Sequence, residues 1–388
     1  MKTIEPYKGF EQGPIRPPSE ADSLLLRITR NCPWNHCTFC PVYKGTRFSL
    51  RPVEHIIKDI DLIGQYVESM LVSKDKFGKV MIGNIPSYVD HSLTNHEEIH
   101  EQALYAGYNF ITNNMHSIFL QDGNSLILPP EDLVRILDHI RQVFPHVDRI
   151  TSYARSHTIA RISDNDLARY AAAGLNRIHI GMESGSDIVL KNVRKGTDKA
   201  TQILAGQKIK RAGIELSEYY MPGLGGKALS RENALETADA LNQINPDFIR
   251  LRTLALPENT PIADDFQEGK FDKMDDIETA KELLTFIDSL DGITSRVKSD
   301  HTLNLFPEID GVLPQDKEKL MAPLKTYLNL PKEEQMLFSI SRRTHTFSRL
   351  EDLTNPTKRA YARKVFNELE VTEESFDKII DNIMKQFI

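Results

Sequence analysis

Three cysteines confined to one loop constrain this chain more than any other feature. Residues 31–40 read NCPWNHCTFC and hold every cysteine among the 388 residues, namely Cys32, Cys37 and Cys40 in the spacing C-x4-C-x2-C. An odd, tightly clustered set cannot cross-link a large fold through disulfides. Three thiolates in one loop instead suit a soft metal ion or an iron–sulfur cluster.

Zinc and a four-iron cluster make different demands on this loop. A structural zinc ion needs four ligands. The nearest candidate for the fourth is His36, which is adjacent to Cys37 and therefore poorly placed to converge on the same ion. Three cysteines on a 4Fe–4S cluster leave one iron with an open position. The sequence favours the cluster, with structural zinc as the alternative.

Residues 26–52, LRITRNCPWNHCTFCPVYKGTRFSLRP, resemble the cluster loop of radical S-adenosylmethionine (SAM) enzymes. The resemblance implies that the three cysteines bind one 4Fe–4S cluster and that the amino and carboxylate groups of SAM bind the fourth iron. The commonest family spacing is C-x3-C-x2-C, and this chain has one residue more between Cys32 and Cys37. Phe39 matches the aromatic position that the family places against the adenine. Packing of the loop onto the barrel is its alternative role.

Strand-like and helix-like segments alternate along the chain at intervals of about 30 residues, the length of a βαβ unit. This rhythm is typical of a parallel sheet, and six such units precede Leu256. We therefore predict an α/β fold, a partial (β/α)6 TIM-like barrel, which the resemblance also implies. An open doubly wound sheet is the alternative. The predicted strands are residues 24–29, 117–121, 149–153, 177–181, 214–220 and 247–254, and the predicted helices are residues 53–71, 130–144, 163–174, 198–213 and 230–245, with Ser163 and Ser230 as N-caps.

The same pattern divides the chain into three regions. We predict an irregular N-terminal arm at residues 1–22, a radical SAM core barrel at 23–270 and a C-terminal helical region at 271–388. Between residues 73 and 115 the sequence predicts a helix at 97–107 and a strand or structured insertion around Val80. The amphipathic helices of the C-terminal region are predicted at residues 280–290, 317–328 and 373–387.

Polar residues follow the second predicted strand, where the βα loops of a barrel converge on ligands. The segment Gln121-Asp122-Gly123-Asn124 corresponds, by the resemblance, to a Gly-Gly-Glu-like segment that binds the SAM amino group. Asp122 and the carbonyls of Gly123 and Asn124 supply the acceptors that an ammonium requires. Because Asp-Gly is a common turn dipeptide, an ordinary turn is the alternative.

Residues 181–186, GMESGS, follow the fourth predicted strand and resemble the G-x-[EQ]-S-G-S run of the superfamily. The resemblance implies that Glu183 and Ser184 bind the ribose hydroxyls, and both residue types have the hydrogen-bonding groups for it. Gly185 permits a close backbone approach or a positive φ angle.

Two arginines are candidates for the SAM carboxylate, which a guanidinium pairs with bidentately. The resemblance favours Arg194, whereas Arg155 is supported by its position after the third predicted strand. A solvated cation at a helix end is the alternative for Arg194 and the preferred interpretation of Lys195.

Three further features lie near the ends of predicted strands. The glycine-rich run at 221–226 fits neither the Walker nor the dinucleotide-binding pattern. Leu254 is a candidate for lining the adenine pocket, with a plain core position as its alternative. His301, in Ser299-Asp300-His301, is a candidate substrate contact or acid/base, and a structural histidine is the alternative. No catalytic residue is assigned from the sequence.

The resemblance implies an enzyme that cleaves SAM to a 5′-deoxyadenosyl radical, which abstracts hydrogen from an unidentified small-molecule substrate, with flavodoxin or ferredoxin as electron donor. A tRNA-modifying radical SAM enzyme is one alternative, because a similar GMESGS run occurs in such enzymes. A zinc-stabilised nucleic-acid-binding protein is another, but a net charge of −7 argues against a broad nucleic-acid-binding face. No apolar run approaches the roughly 20 residues that cross a membrane. Reduced cysteines without a secretory signal predict a cytoplasmic protein.

Overall fold

The computed structural model describes residues 5–73, 79–80 and 97–385. Lys79 and Val80 have no regular secondary structure, and the rest of the strand predicted around Val80 lies outside the described residues. The chain divides into two compact units. The first comprises residues 1–33, 45–179 and 211–215, and the second comprises residues 34–44, 180–210 and 216–388. The predicted division into arm, barrel and helical region stays a prediction.

Strands and helices alternate along the described chain. The strands are β1 (Leu24–Arg27), β2 (Thr29–Arg30), β3 (Ser49–Leu50), β4 (Ser117–Gln121), β5 (Arg149–Ala154), β6 (Leu175–Glu183), β7 (Glu215–Tyr220), β8 (Phe248–Leu251), β9 (Arg296–Lys298) and β10 (Asp310–Val312). The helices are α1 (Val53–Val72), α2 (Glu97–Thr112), α3 (Pro130–Val143), α4 (Ser156–Ile159), α5 (Asp164–Ala172), α6 (Asp187–Asn192), α7 (Lys199–Arg211), α8 (Gly226–Ile244), α9 (Pro261–Gln267), α10 (Asp276–Ser289), α11 (Lys317–Leu328), α12 (Lys332–Arg343), α13 (Pro356–Glu368) and α14 (Phe376–Met384). Short 3-10 turns lie at Pro18–Glu20, Ser125–Ile127 and Leu350–Thr354.

In the first unit, β1, β4, β5 and the first part of β6 lie side by side in that order. The pairs β1–β4 and β4–β5 are parallel, with Leu24 opposite Ile118 and Ser117 opposite Arg149. Strands β2 and β3 form a separate antiparallel pair. Helix α1 packs against α2 and α3, and its regularly spaced apolar side chains, such as Ile56 and Ile63, are buried, as their helical spacing requires.

The second unit contains the last part of β6, followed by β7, β8, β9 and β10 in spatial order. The pairs β7–β8 and β8–β9 are parallel, and β10 runs antiparallel to β9. Helix α8 packs against α10, which also contacts α11. The loops at the carboxyl ends of β6, β7 and β8 all carry residues of the candidate site.

The α/β class predicted from the sequence is confirmed. Each of the six predicted strands is present, as β1, β4, β5, β6, β7 and β8, and their mostly parallel arrangement is consistent with a partial (β/α)6 barrel. Strands β9 and β10 were not predicted.

The two predicted helix caps have opposite outcomes. The Ser163 hydroxyl accepts a hydrogen bond of 3.0 Å from the Asp166 N–H and caps α5, as predicted. Ser230 is not a cap, because α8 begins four residues earlier, at Gly226. The φ angle of Gly226 is 62°, a conformation that glycine adopts without a steric cost, so the chain enters the helix there.

The N-terminal arm packs against the rest of the first unit, although residues 5–17 contain no helix or strand. Phe10 is buried, and Glu11 makes a bidentate ion pair with Arg30 at 2.8 and 2.6 Å. The side chain of Gln121, the last residue of β4, accepts from the Gly13 N–H at 2.8 Å and donates to the Ile15 carbonyl at 2.7 Å. These contacts fix the arm beside the carboxyl end of β4.

Candidate functional site

The second half of the cysteine loop is fastened to the segment that follows α6. The Trp34 indole N–H donates to the Arg194 carbonyl at 2.7 Å, and the Thr38 N–H donates to the Val193 carbonyl at 3.0 Å. The Trp34 ring also lies against Gly196, where a Cβ atom would come within 2.4 Å of it. These contacts hold the second half of the loop against the segment that follows α6.

The three cysteines lie in a segment without helix or strand. Each carries a half-buried thiol rather than a disulfide, Cys32 in the first unit and Cys37 and Cys40 in the second. The Lys44 ammonium donates to the carbonyls of Asn35 and Cys37 at 3.0 and 2.9 Å, which closes the turn between them.

Within the described residues, no group of three or more His, Cys, Asp and Glu side chains is arranged to hold a single metal ion. A 4Fe–4S cluster binds each thiolate at a different iron atom, so its ligands need not converge on one point.

Phe39 is part of an apolar cluster at the carboxyl ends of the strands in the second unit. Its side chain is 7% exposed and belongs to the same cluster as Leu254, the residue predicted to line an adenine pocket. Cys37 and Cys40 pack against the same cluster. The buried members are Phe39, Val189, Val193, Met221, Leu224, Leu254 and Ile262. Phe39 therefore does pack the loop onto the fold, and a role against adenine stays a prediction.

Glu183 ends β6 in a conformation that a non-glycine residue rarely adopts. Its φ angle is 66°, and its carbonyl accepts from the Met221 N–H at 2.9 Å. Gly181 makes room for the Glu183 carboxylate, because a Cβ atom there would lie 2.3 Å from Oε1. Positive φ angles at non-glycine residues cost about 1–3 kcal/mol and cluster at functional sites. The fold thus holds this carboxylate in place at an energetic cost.

Lys195 pairs with Glu183, contrary to the expectation of a solvated cation. Its ammonium lies 3.1 Å from Glu183 Oε1 and 5.7 Å from the centre of the Phe39 ring, and its side chain is only 14% exposed. From the sequence, the neighbouring Arg194 matches the family position, and no local pattern indicates that Lys195 pairs with Glu183. Arg194 is exposed, with a φ angle of 53°.

Glu183 Oε2 is buried and has no hydrogen-bond partner among the described residues. A second buried carboxyl, Glu218 on β7, interacts electrostatically with Glu183 and Lys195. Burial raises the pKa of Glu218 well above its usual value, an effect that Lys195 opposes and Glu183 reinforces.

Ser184 and Gly185 have clear roles in the fold. The Ser184 hydroxyl is buried and accepts from the Ser186 N–H at 3.0 Å. Gly185 lies against the backbone of α8, where a Cβ atom would come within 2.4 Å of the Glu236 carbonyl oxygen, and its N–H donates to the Thr237 hydroxyl at 2.7 Å. Of the two alternatives for Gly185, the close backbone approach is the one observed.

In the first unit, Asp122 is fully buried and already paired. Its Oδ2 atom accepts from the Arg27 guanidinium at 2.9 and 2.8 Å and from the Asn31 N–H at 3.1 Å. Gly13 of the arm packs directly on the carboxylate, since a Cβ atom there would lie 2.4 Å from Oδ1. Asp122 therefore organises the residue that precedes Cys32.

Asn124 connects the ends of two strands in the same unit. Its amide donates to the Thr158 hydroxyl at 2.8 Å, and its carbonyl oxygen accepts from the Arg155 N–H at 3.1 Å. Arg155 is half-buried at the start of α4, and Gly123 is half-buried between Asp122 and Asn124. The structure thus brings Asn124 and Arg155 together through backbone and amide contacts.

The chain matches the model of one known protein family. The model of the radical SAM superfamily matches residues 26–238, more than half of the chain. The tRNA uridine(34) acetyltransferase of Methanocaldococcus infernus is 23% identical over 154 residues, which are 39% of this chain and 28% of that protein. The chain thus spans little more than a quarter of that relative.

Two solved structures are also similar to this chain. Elp3 of Methanocaldococcus infernus with an N-terminal deletion is 17% identical with a TM-score of 0.40, over 52% of this chain and 53% of that one. Coproporphyrinogen III oxidase (HemN) from Escherichia coli, a radical SAM enzyme, is 16% identical with a TM-score of 0.42, over 66% and 50%. Among the described residues, no helix is long and apolar enough to span a membrane.

Proposed function

This chain belongs to the radical SAM superfamily, whose members use a 4Fe–4S cluster and SAM, and from that premise we propose that it cleaves SAM reductively. The chemistry that these cofactors supply together, when bound, is a one-electron reduction giving methionine and a 5′-deoxyadenosyl radical that takes hydrogen from a substrate. In this proposal Cys32, Cys37 and Cys40 hold the cluster.

The observation that carries the proposal is the unsatisfied oxygen of Glu183. A buried polar atom without a partner costs about 1–3 kcal/mol. Here it is Glu183 Oε2, at a carboxylate whose other oxygen pairs with Lys195, and Lys195 in turn lies over Phe39 of the cysteine loop. A ligand hydroxyl would satisfy this atom. A ribose has two adjacent hydroxyls, so we assign the ribose of SAM to Glu183.

Other residues would orient the rest of SAM. Phe39 and Leu254 supply an apolar surface for the adenine. We propose that the SAM ammonium binds the carbonyls of Gly123 and Asn124, because the neighbouring Asp122 carboxylate is fully buried and already accepts hydrogen bonds from Arg27 and Asn31. Arg194 or Arg155 would pair with the SAM carboxylate.

We further propose a small-molecule substrate, a flavodoxin or ferredoxin as electron donor and a reducing cytoplasmic compartment, which keeps three clustered thiols available. RNA modification is the second candidate. The matched tRNA uridine(34) acetyltransferase favours it, although the chain spans only 28% of that protein.

Anaerobic reconstitution with iron and sulfide, followed by SAM and dithionite, tests the proposal. We expect 5′-deoxyadenosine and methionine, together with a change in the electron paramagnetic resonance spectrum of the reduced cluster when SAM is added. The proposal would be refuted if the protein contained the cluster but its spectrum did not change on addition of SAM and neither 5′-deoxyadenosine nor methionine was formed. Extract treated with ribonuclease separates the two candidates, because only a small-molecule substrate survives that treatment.

A further inference from the structure

Arg252, just after β8, is an arginine to which the SAM contacts proposed above assign no role. The Arg252 N–H donates to the Tyr220 carbonyl at 3.0 Å, so pairing with β7 continues past the last residue of β8. Arg250 and Arg252, two positions apart on this extended segment, point to the same side. Arg252 is half-buried, and its guanidinium makes no hydrogen bond or ion pair within the described residues.

Asn304 fixes the backbone on both sides of Arg252. Its amide donates to the Leu251 carbonyl at 2.7 Å, and its carbonyl oxygen accepts from the Thr253 N–H at 2.9 Å. The Asn304 N–H in turn donates to the His301 carbonyl at 3.0 Å. Asn304 is 5% exposed, so this clamp is a buried one. It holds the turn that contains His301 along the strand end that presents Arg252.

The charge of the neighbouring Arg250 is already compensated. Its guanidinium forms an ion pair with Asp300 and donates to the Ser217 hydroxyl at 3.2 Å. Because Arg250 is 2% exposed, this pair is shielded from water on the arginine side. Arg252 is therefore left with one positive charge that none of the described residues neutralises by contact.

His301 adds a neutral donor beside this charge. Its Nδ1 atom accepts a hydrogen bond of 3.2 Å from the Leu303 N–H, which requires the ring proton to be on Nε2. Burial and the nearby positive charge of Arg252 lower the pKa of His301 to about 4, although the negative charge of Asp300 acts in the opposite direction. At neutral pH the ring is therefore an uncharged N–H donor.

We propose that Arg252 and His301 bind a carboxylate group of the substrate, an inference that rests on the radical SAM function proposed above and makes the substrate a carboxylic acid. A guanidinium presents two parallel N–H groups that match the two oxygens of a carboxylate. One fixed positive charge and one neutral donor balance a monoanion. A phosphate dianion would leave a negative charge without a partner in a half-buried place, which is unfavourable.

Binding of simple anions to the protein without its cofactors tests the site independently of SAM chemistry. Histidine-labelled protein is titrated with acetate, succinate and inorganic phosphate in the millimolar range, and the ring signals are followed by nuclear magnetic resonance. His301→Gln identifies the signal of His301. We expect acetate and succinate to shift it, and Arg252→Gln to weaken their binding about tenfold, the size of one charge-assisted hydrogen bond. Arg231→Gln, which removes an exposed arginine of α8, is the matched control and should bind as the wild type does.

Three results would overturn the inference: a His301 signal that no carboxylate shifts, equal carboxylate affinity in wild type and Arg252→Gln, or a response to phosphate alone. The reconstituted enzyme gives a second readout. Any compound that it consumes from extract should be retained by an anion exchanger and should no longer be consumed after methyl esterification. If SAM is not cleaved, the proposed function fails, whereas the anion titration still decides whether this site exists.

Discussion

Lys195 donates a hydrogen bond of 3.1 Å to the carboxylate of Glu183, the residue proposed to bind the ribose. Lys195 directly follows Arg194, the cation that the sequence predicted for the site. The backbone explains this offset. Arg194 has a left-handed conformation with a φ angle of 53° and an exposed side chain, and the chain turns there. A ligand that reaches Glu183 therefore also meets the ammonium of Lys195.

The first prediction separates Glu183 from Ser184. Glu183→Ala should weaken SAM binding by at least about 1 kcal/mol, because it removes the acceptor assigned to the ribose. Ser184→Ala should weaken it less, since the Ser184 hydroxyl already accepts from the Ser186 N–H. Calorimetry on the reconstituted variants measures both effects, and the iron content should stay at the wild-type value. Unchanged SAM affinity in a variant that combines Glu183→Ala and Ser184→Ala would contradict the assignment of these residues to the ribose.

The second prediction concerns the metal. Reconstituted protein should hold about four irons per chain, as one cubane cluster does, and a triple variant with Cys32, Cys37 and Cys40 changed to Ala should hold none. Iron, acid-labile sulfide and zinc are measured on the same samples. Stoichiometric zinc in place of iron would support the structural-zinc alternative, and retention of iron and sulfide by the triple variant would exclude the cluster assignment.

Sequence reasoning predicted the features that are local. The six long strands and the cysteine loop follow from spacing and periodicity, whereas β9 and β10 have three residues each and show no such pattern. Lys195, rather than Arg194, pairs with Glu183 because the chain turns at Arg194 with a positive φ angle. No local sequence pattern reveals such an angle at a non-glycine residue. The pairing of Glu20 with His179 joins residues 159 positions apart and needed the tertiary structure.

The third prediction uses that buried pair. Glu20 is fully buried and contacts His179 at 3.2 Å, Arg149 at 3.4 Å and the Ser23 hydroxyl at 2.7 Å. Burial alone would raise the pKa of Glu20, but these partners hold it at about 2. Removing one partner of a buried ion pair costs about 3–5 kcal/mol, so Glu20→Gln should lower the free energy of unfolding by about 3 kcal/mol at pH 7.

The pH dependence has a definite sign. Because the folded-state pKa of Glu20 is depressed from 4.5 to about 2, its contribution is fully present above pH 4.5 and is lost as the pH falls towards 2. The stability difference between wild type and Glu20→Gln should therefore narrow over that interval in urea unfolding experiments. Glu131→Gln, at an exposed ion pair with Arg169, is the control and should change stability little. A constant difference from pH 7 to pH 2 would contradict the role of the Glu20 charge.

The last prediction decides which cation binds the SAM carboxylate. Lysine keeps the charge of arginine but loses its planar fork, so a variant of the true partner should bind SAM less well and cleave it more slowly. By the family resemblance, Arg194→Lys should reduce 5′-deoxyadenosine formation while Arg155→Lys leaves it near the wild-type rate. Lys195→Met adds a third arm, because Lys195 is the cation that the structure places at Glu183. Loss of SAM binding in Lys195→Met with little change in either arginine variant would transfer the role to Lys195, and the reverse pattern of the two arginines would transfer it to Arg155.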